Sequence, residues 1–224
     1  ERTGENPARW RGHLDKLLPK PSKVADRGHH AALPWSDVGA FLARLEGVEG
    51  MGAAALRFAI LTAARSGEVR GATWSEIDMQ ARTWTVPAER MKAGKEHRVP
   101  LSDAAVLLLE GLPRYVGNDL VFPAPRGGVL SDATLSAVLK RMGVPVTVHG
   151  FRSTFRDWAA ESTAYPSDVV EMALAHTIGN KVEAAYRRGD LFEKRRQLMQ
   201  AWADFCGRAE TSAEVVSIGA ARVA

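Results

Sequence analysis

The stretch 51–64 constrains this chain more than any other. Leu56, Phe58, Ile60 and Leu61 stand among alanines there, so a helix over 53–64 is apolar nearly all round. A helix of that kind is buried at the centre of a core, with other elements packed on every side. It is interrupted by Arg57 and is too short to span a bilayer, so it predicts a core and not a membrane. The chain has 224 residues, 46% apolar and 25% charged. That is ordinary for a globular domain, and long enough to bury a core without staples.

The flanking segments supply the partners of that helix. The first thirty residues hold Pro7, Pro19, Pro21 and Gly28-His29-His30 without lasting periodicity and read as a linker, 1–32, with one short turn around Leu14, Leu17 and Leu18. From 33 onward, Ser36 is the expected N-cap of a helix carrying Val38, Phe41, Leu42 and Leu45. Thr83-Trp84-Thr85-Val86 and His97-Arg98-Val99 read as strands joined through a turn at Gly94, within a hairpin or three-stranded antiparallel sheet. Helices are expected from Ser102-Asp103, from Ser131-Asp132, from His149 to about Ser162, from Pro166 through His176, over 181–187 and over 191–205. The ordered body therefore ends near 206, leaving a tail, 207–224, whose one apolar stretch is Val215-Val216-Ser217-Ile218. The fold class is mostly α with a small antiparallel β-sheet.

Several chemistries find no support in the sequence. Cys206 is the only cysteine, which excludes an internal disulfide and a cysteine-rich zinc module and suits a reducing, cytoplasmic home. No phosphate-binding G-x-x-x-x-G-K-[ST] loop, no H-E-x-x-H and no signal peptide is present. Gly50-Met51-Gly52 follows a helix, not a strand, so it makes a poor dinucleotide loop. No metal or other cofactor is expected. The net charge of +4 permits a nucleic-acid partner without requiring one. The chain opens on Glu1-Arg2 without Met, as a fragment or processed product would.

What remains is an ordered series of cations, imidazoles and a phenol. Leu61-Thr62-Ala63-Ala64-Arg65-Ser66-Gly67-Glu68 ends the buried helix with Arg65 and a carboxylate three residues on. Met91-Lys92-Ala93-Gly94-Lys95 places Lys92 at a hairpin tip. His149-Gly150-Phe151-Arg152 puts His and Arg on one helical face. Leu174-Ala175-His176 is followed by Ala184-Ala185-Tyr186-Arg187-Arg188. Singly, each has an ordinary explanation: a helix-end cation, a solvated hairpin lysine, a packed histidine, a half-buried tyrosine. Arg187, Arg188, Arg195 and Arg196 read as a solvated helix face or as phosphate contacts.

In order and in context, the series resembles the catalytic domain of the tyrosine recombinases, the phage-integrase family, over roughly 33–205. The segment around Arg195 and Trp202 is most similar to prophage and satellite-phage integrases. Many members have Gly where Ala63 and Ala175 stand, and a second His where Ser153 stands; none of these departures removes an ionisable side chain of the series. The resemblance implies the tyrosine recombinase catalytic-domain fold over 33–206 and a chain lacking the N-terminal DNA-binding domains of that family.

It also implies roles. Tyr186 is the nucleophile toward a DNA phosphodiester, leaving a 3′-phosphotyrosyl enzyme. Arg65 and Arg152 grip the non-bridging oxygens, as bidentate guanidinium groups can. His149 and His176 add hydrogen bonds, with His149 preferred as the proton acceptor. Lys92 protonates the departing 5′-hydroxyl. Glu68 orients Arg65. Arg65, Lys92, Lys95, Arg152, Arg187 and Arg188 contact DNA. No metal and no ATP are needed, because fixed arginines supply the positive charge. The implied partners are double-stranded attachment sites, with a homotetramer on DNA, a monomer alone and no membrane association. A type IB topoisomerase-like enzyme, relaxing supercoils as a monomer, and a catalytically silent DNA-binding or assembly module are the alternatives.

Overall fold

The computed structural model describes residues 14–17, 30–176 and 189–208. The chain divides into two units, Glu1–His30 and Ala31–Ala224. In the first, Asp15–Leu17 form a single helical turn.

In the second unit the apolar helix is the hub. It spans Met51–Thr62 (α2) and buries residues from Ala53 to Thr62, Phe58 and Leu56 among them. Around it pack α1 (Val38–Glu46), α3 (Ser66–Arg70), α4 (Asp103–Glu110), α5 (Ala133–Arg141) and α8 (Phe192–Cys206). Gly52 belongs to this packing and not to a nucleotide loop: a β-carbon there would meet the Thr134 methyl of α5 at 2.9 Å. The helices α6 (Gly150–Ser162) and α7 (Ser167–Ala173) complete the helices of this unit among the described residues. Trp158 of α6 packs against Trp202 of α8 with centroids 5.0 Å apart and planes tilted by 50°, and the Trp202 indole N–H donates to the Ile60 carbonyl at 2.8 Å.

The sheet is three-stranded and antiparallel, in the order β1 (Ile77–Asp78), β2 (Thr83–Val86), β3 (His97–Pro100). Trp84 pairs with Val99 and Val86 with His97. Trp84 is fully buried and packs on Phe58, which seats the sheet on the hub. The β2–β3 connection carries Lys92 and turns at Gly94, whose φ of 62° is the left-handed conformation glycine tolerates.

Three expected helix ends differ. Ser36 does not cap α1; its hydroxyl donates to Asp37 (2.8 Å), while Pro34 sets up a 3₁₀ turn over Trp35–Asp37. Asp132 does not cap α5, because its carboxylate is drawn into an ion pair with Arg70. The helix from Ser167 stops at Ala173, short of His176. There Ala175 turns left-handed, and the His176 N–H reaches back to the Glu171 carbonyl (3.0 Å), closing the helix end. His176 thus stands just outside the helix rather than on it.

Candidate active site

Arg65, Lys92, His149 and Arg152, far apart in sequence, line one cavity of about 540 Å³. Each is placed there by a different element. Arg65 follows the left-handed turn at Ala63 and immediately precedes α3. Lys92 stands exposed on the β2–β3 connection. His149 precedes α6, and Arg152 is in its first turn. The start of α6 needs Gly150, since any β-carbon there would collide with the Ala31 carbonyl.

The two arginines are held by different chemistry. Arg65 donates through Nη1 to a Glu68 carboxylate oxygen at 2.8 Å, and its backbone N–H donates to the other oxygen at 3.0 Å. Glu68 is 4% exposed, so the pair is fixed and Glu68 faces Arg65 rather than solvent. Arg65 Nη2 also reaches the Ala175 carbonyl at 3.3 Å. Arg152 is 5% exposed and, among the described residues, has no carboxylate partner. It donates to the Ala63 carbonyl, to the Leu174 carbonyl at 2.6 Å, and to His176 Nε2 at 3.2 Å. Its Nε–H is buried without an acceptor. Burial, and then the like charge of Arg65, push the Arg152 guanidinium down to about 10, still a cation at neutral pH. A buried cation lacking a counter-charge is costly unless an anion completes it.

Sequence reasoning missed four participants. Arg70 and Arg90 also line the cavity, but both are committed to the frame. Arg70 donates to the Leu130 carbonyl (2.6 Å) and pairs with Asp132; Arg90 donates to the Glu68 carbonyl (2.8 Å) and pairs with Glu76. His97 lies behind the site, where burial and then Arg195 push its imidazole down to about 4. Glu171 binds His176 Nδ1 at 2.6 Å. Arg90 immediately precedes the lysine segment, while His97 is read in the sequence only as a strand residue, so nearness to Lys92 was the one available signal for both.

His176 is joined to the site through Arg152 and is not itself on the cavity wall. Lys95 is exposed on the same connection as Lys92 but does not line the cavity. Arg195 is no solvated residue: it is 1% exposed, bonded to Asp190 and to the Arg98 carbonyl. Trp84, Trp158 and Trp202 are buried in the core, and Trp74 is partly buried against it. Tyr186, Arg187, Arg188, the helix expected over 181–187 and the tail stretch 215–218 lie outside the described residues. Among the described residues, no helix is long and apolar enough to cross a membrane.

Residues 40–191 match the family model described as the phage integrase family. The prophage integrase IntA of Escherichia coli (strain K12) is 39% identical over 163 residues, covering 70% of this chain and 39% of that protein. The integrase of Enterobacteria phage P4 is 37% identical over 199 residues, covering 79% and 45%. The chain therefore spans less than half the length of these two relatives. Among solved structures, an integrase from mycobacterium phage Brujita aligns with a TM-score of 0.61 at 21% identity, covering 88% of this chain and 65% of that one. A lambda integrase fragment, solved as a dimer bound to a COC′ core site, aligns with a TM-score of 0.52 at 20% identity, covering 74% and 62%. These two likenesses are of fold. The family match takes in more than half of the residues, Arg65, Lys92, His149 and Arg152 among them, and the prophage relative is 39% identical over 70% of the chain, so this chain belongs to the phage integrase family.

Proposed function

We propose that this chain is the catalytic domain of a site-specific DNA recombinase of the integrase type, a strand transferase that cuts and rejoins DNA strands through a 3′-phosphotyrosyl intermediate. The observation that carries this reading is the buried Arg152 guanidinium, without a carboxylate partner among the described residues, beside Arg65 and Lys92 on one cavity wall. A phosphodiester supplies the missing negative charge, and its transition state gathers more of it on the non-bridging oxygens.

The Tyr186 phenol oxygen attacks phosphorus, the bond to the 5′-oxygen breaks, and the 3′-phosphate stays on the tyrosine. The phenol titrates near 10 in water, so its proton must go to a base as it attacks, and His149 takes it. An alkoxide is a poorer leaving group than a phenoxide, so Lys92 gives the 5′-oxygen a proton. Attack by another strand's 5′-hydroxyl then reverses the steps and reseals DNA with no loss of bond energy. Arg65 and Arg152 clamp the phosphate throughout, and Glu68 keeps Arg65 aimed. Lys95, Arg187 and Arg188 contact neighbouring phosphates. The partners are double-stranded attachment sites, on which four copies assemble; the free chain is a monomer of the bacterial cytoplasm, on the nucleoid when bound. The lambda relative's capture on a core site supports DNA as the partner.

A nicked suicide duplex tests the assignment. Wild type accumulates a covalent protein–DNA adduct, Tyr186→Phe forms none, and Arg152→Ala slows formation by roughly 100-fold or more, the range for losing a preorganised donor to a developing oxyanion. An adduct with the Phe variant would overturn Tyr186 as nucleophile.

A further inference from the structure

A chain of charged contacts runs along α6 and α7 and ends on His176. Arg156 Nε donates to one oxygen of Glu171 at 2.7 Å. The other Glu171 oxygen lies 2.6 Å from His176 Nδ1. On the far side of the ring, Nε2 lies 3.2 Å from Arg152 Nη2. A guanidinium has donors only, so Nε2 must present its lone pair to Arg152. A carboxylate has acceptors only, so Nδ1 must carry the proton toward Glu171. A single ring state meets both conditions: neutral, with its hydrogen on Nδ1. An imidazolium would set N–H against N–H at Arg152, and the other tautomer would set a lone pair against a carboxylate.

We propose that Glu171 is a positioning residue that fixes the tautomer and orientation of His176, and through His176 the guanidinium of Arg152. Arg152 spends its remaining bonds on the Ala63 and Leu174 carbonyls, so the His176 ring is the only side chain among the described residues that aligns it. Glu171 is itself clamped. Burial pushes its carboxyl up, but hydrogen bonds from Arg156 and His176 outweigh burial and hold it below the usual carboxylate range. It therefore stays an acceptor at neutral pH. The ring must be turned and protonated in one way because the spacing of Glu171 and Arg152 leaves no other. This inference rests on the phosphate-binding reading of the cavity for its consequence, but not for the ring state.

Nitrogen-15 NMR of the histidine-labelled chain reads the ring directly, at mildly alkaline pH and without DNA, with the His176 signals assigned by their loss in His176→Gln. Wild type shows a protonated-type Nδ1 and an unprotonated-type Nε2. Glu171→Ala shifts the ring toward the Nε2–H form, whereas Glu171→Gln, whose carbonyl still accepts, keeps the wild-type pattern. In single-turnover cleavage of the suicide duplex, the alanine variant slows roughly 10- to 100-fold, the range for losing a histidine's orienting partner. The DNA concentration for half-maximal rate barely moves, and the glutamine variant recovers most of the rate. A wild-type ring protonated on Nε2 overturns the proposal, and that spectrum needs no variant to fold. So does an alanine variant with unchanged tautomer and rate. A wild type that forms no adduct at all sinks the recombinase reading instead, and leaves the spectrum to decide the ring.

Discussion

Two alanines hold the arginine anchors. The Ala63 carbonyl receives Arg152 and the Ala175 carbonyl receives Arg65, and their φ values are 50° and 48°. A side chain in that left-handed region costs about 1–2 kcal/mol, while glycine's greater freedom in the unfolded chain offsets roughly 0.5–1 kcal/mol of any relief. Ala63→Gly is therefore expected to stabilise by about 0.5–1 kcal/mol, read as a higher urea midpoint at unchanged slope. These are the positions where the resemblance has glycine, so the departure visible in the sequence is a conformational one, and the structure supplies its physical content. His97 gives a second prediction. It binds its proton near pH 4 when folded against 6.5 as a free side chain, so between those values the unfolded chain holds more protons and stability falls as pH falls. The loss is on the order of 3 kcal/mol, and it should shrink in His97→Gln when urea unfolding is compared across that window. Glu171 and Asp190, whose carboxyls are held low, lose their contribution only below their ordinary values of 4.5 and 3.8, so Glu171 adds to the loss at the acid end of that window and Asp190 only beyond it.

Elements built from local pattern were legible, and those held by long-range carbonyl bonds were not. The β2–β3 hairpin follows from its β-branched residues and Gly94, and the hub helix from its unbroken apolar surface. Arg195 shows where the reading failed. It looked solvated because arginine usually is, yet on α8 it shares the face of Leu198, Met199, Trp202 and Cys206, and that spacing was the signal. It ties α8 to β3 by donating to the Arg98 carbonyl (2.6 Å) and to the Asp190 carbonyl (2.7 Å), while Nη2 meets the Asp190 carboxylate (2.9 Å). Asp190 is also gripped by Arg98, so the return of the chain into α8 is pinned to the strand behind Lys92. Arg195→Met removes these donors and leaves two carbonyls unpaired. The expected destabilisation is about 3 kcal/mol, measured by denaturant unfolding, with far-UV circular dichroism unchanged in the folded baseline. A loss within a few tenths of a kcal/mol would mean that the junction is not a structural tie.

At the scale of the molecule, a net charge of +4 is small, but it is not spread evenly. Arg65, Arg70, Arg90, Lys92 and Arg152 face one cavity that, among the described residues, holds only Glu68 and Glu89 as carboxylates. Arg70 and Arg90 are paired with Asp132 and Glu76 and bonded to frame carbonyls, whereas Arg65, oriented by its pair with Glu68, stands with Lys92 and Arg152 as the three cations that the proposed reaction sets on a nucleic-acid backbone. Each phosphate neutralised releases condensed counterions, so three contacts predict a drop in DNA affinity of roughly 40-fold between about 50 and 200 mM salt. Lys92→Met should lower the slope of log affinity against log salt by about one, since it removes one exposed contact without disturbing the core. Filter binding on duplex DNA across that range measures both. An affinity indifferent to salt would mean that the cavity's charge does not meet phosphate. A slope unchanged in Lys92→Met would mean that DNA reaches the two arginines without the hairpin closing over it, and would take Lys92 away from the leaving oxygen as well.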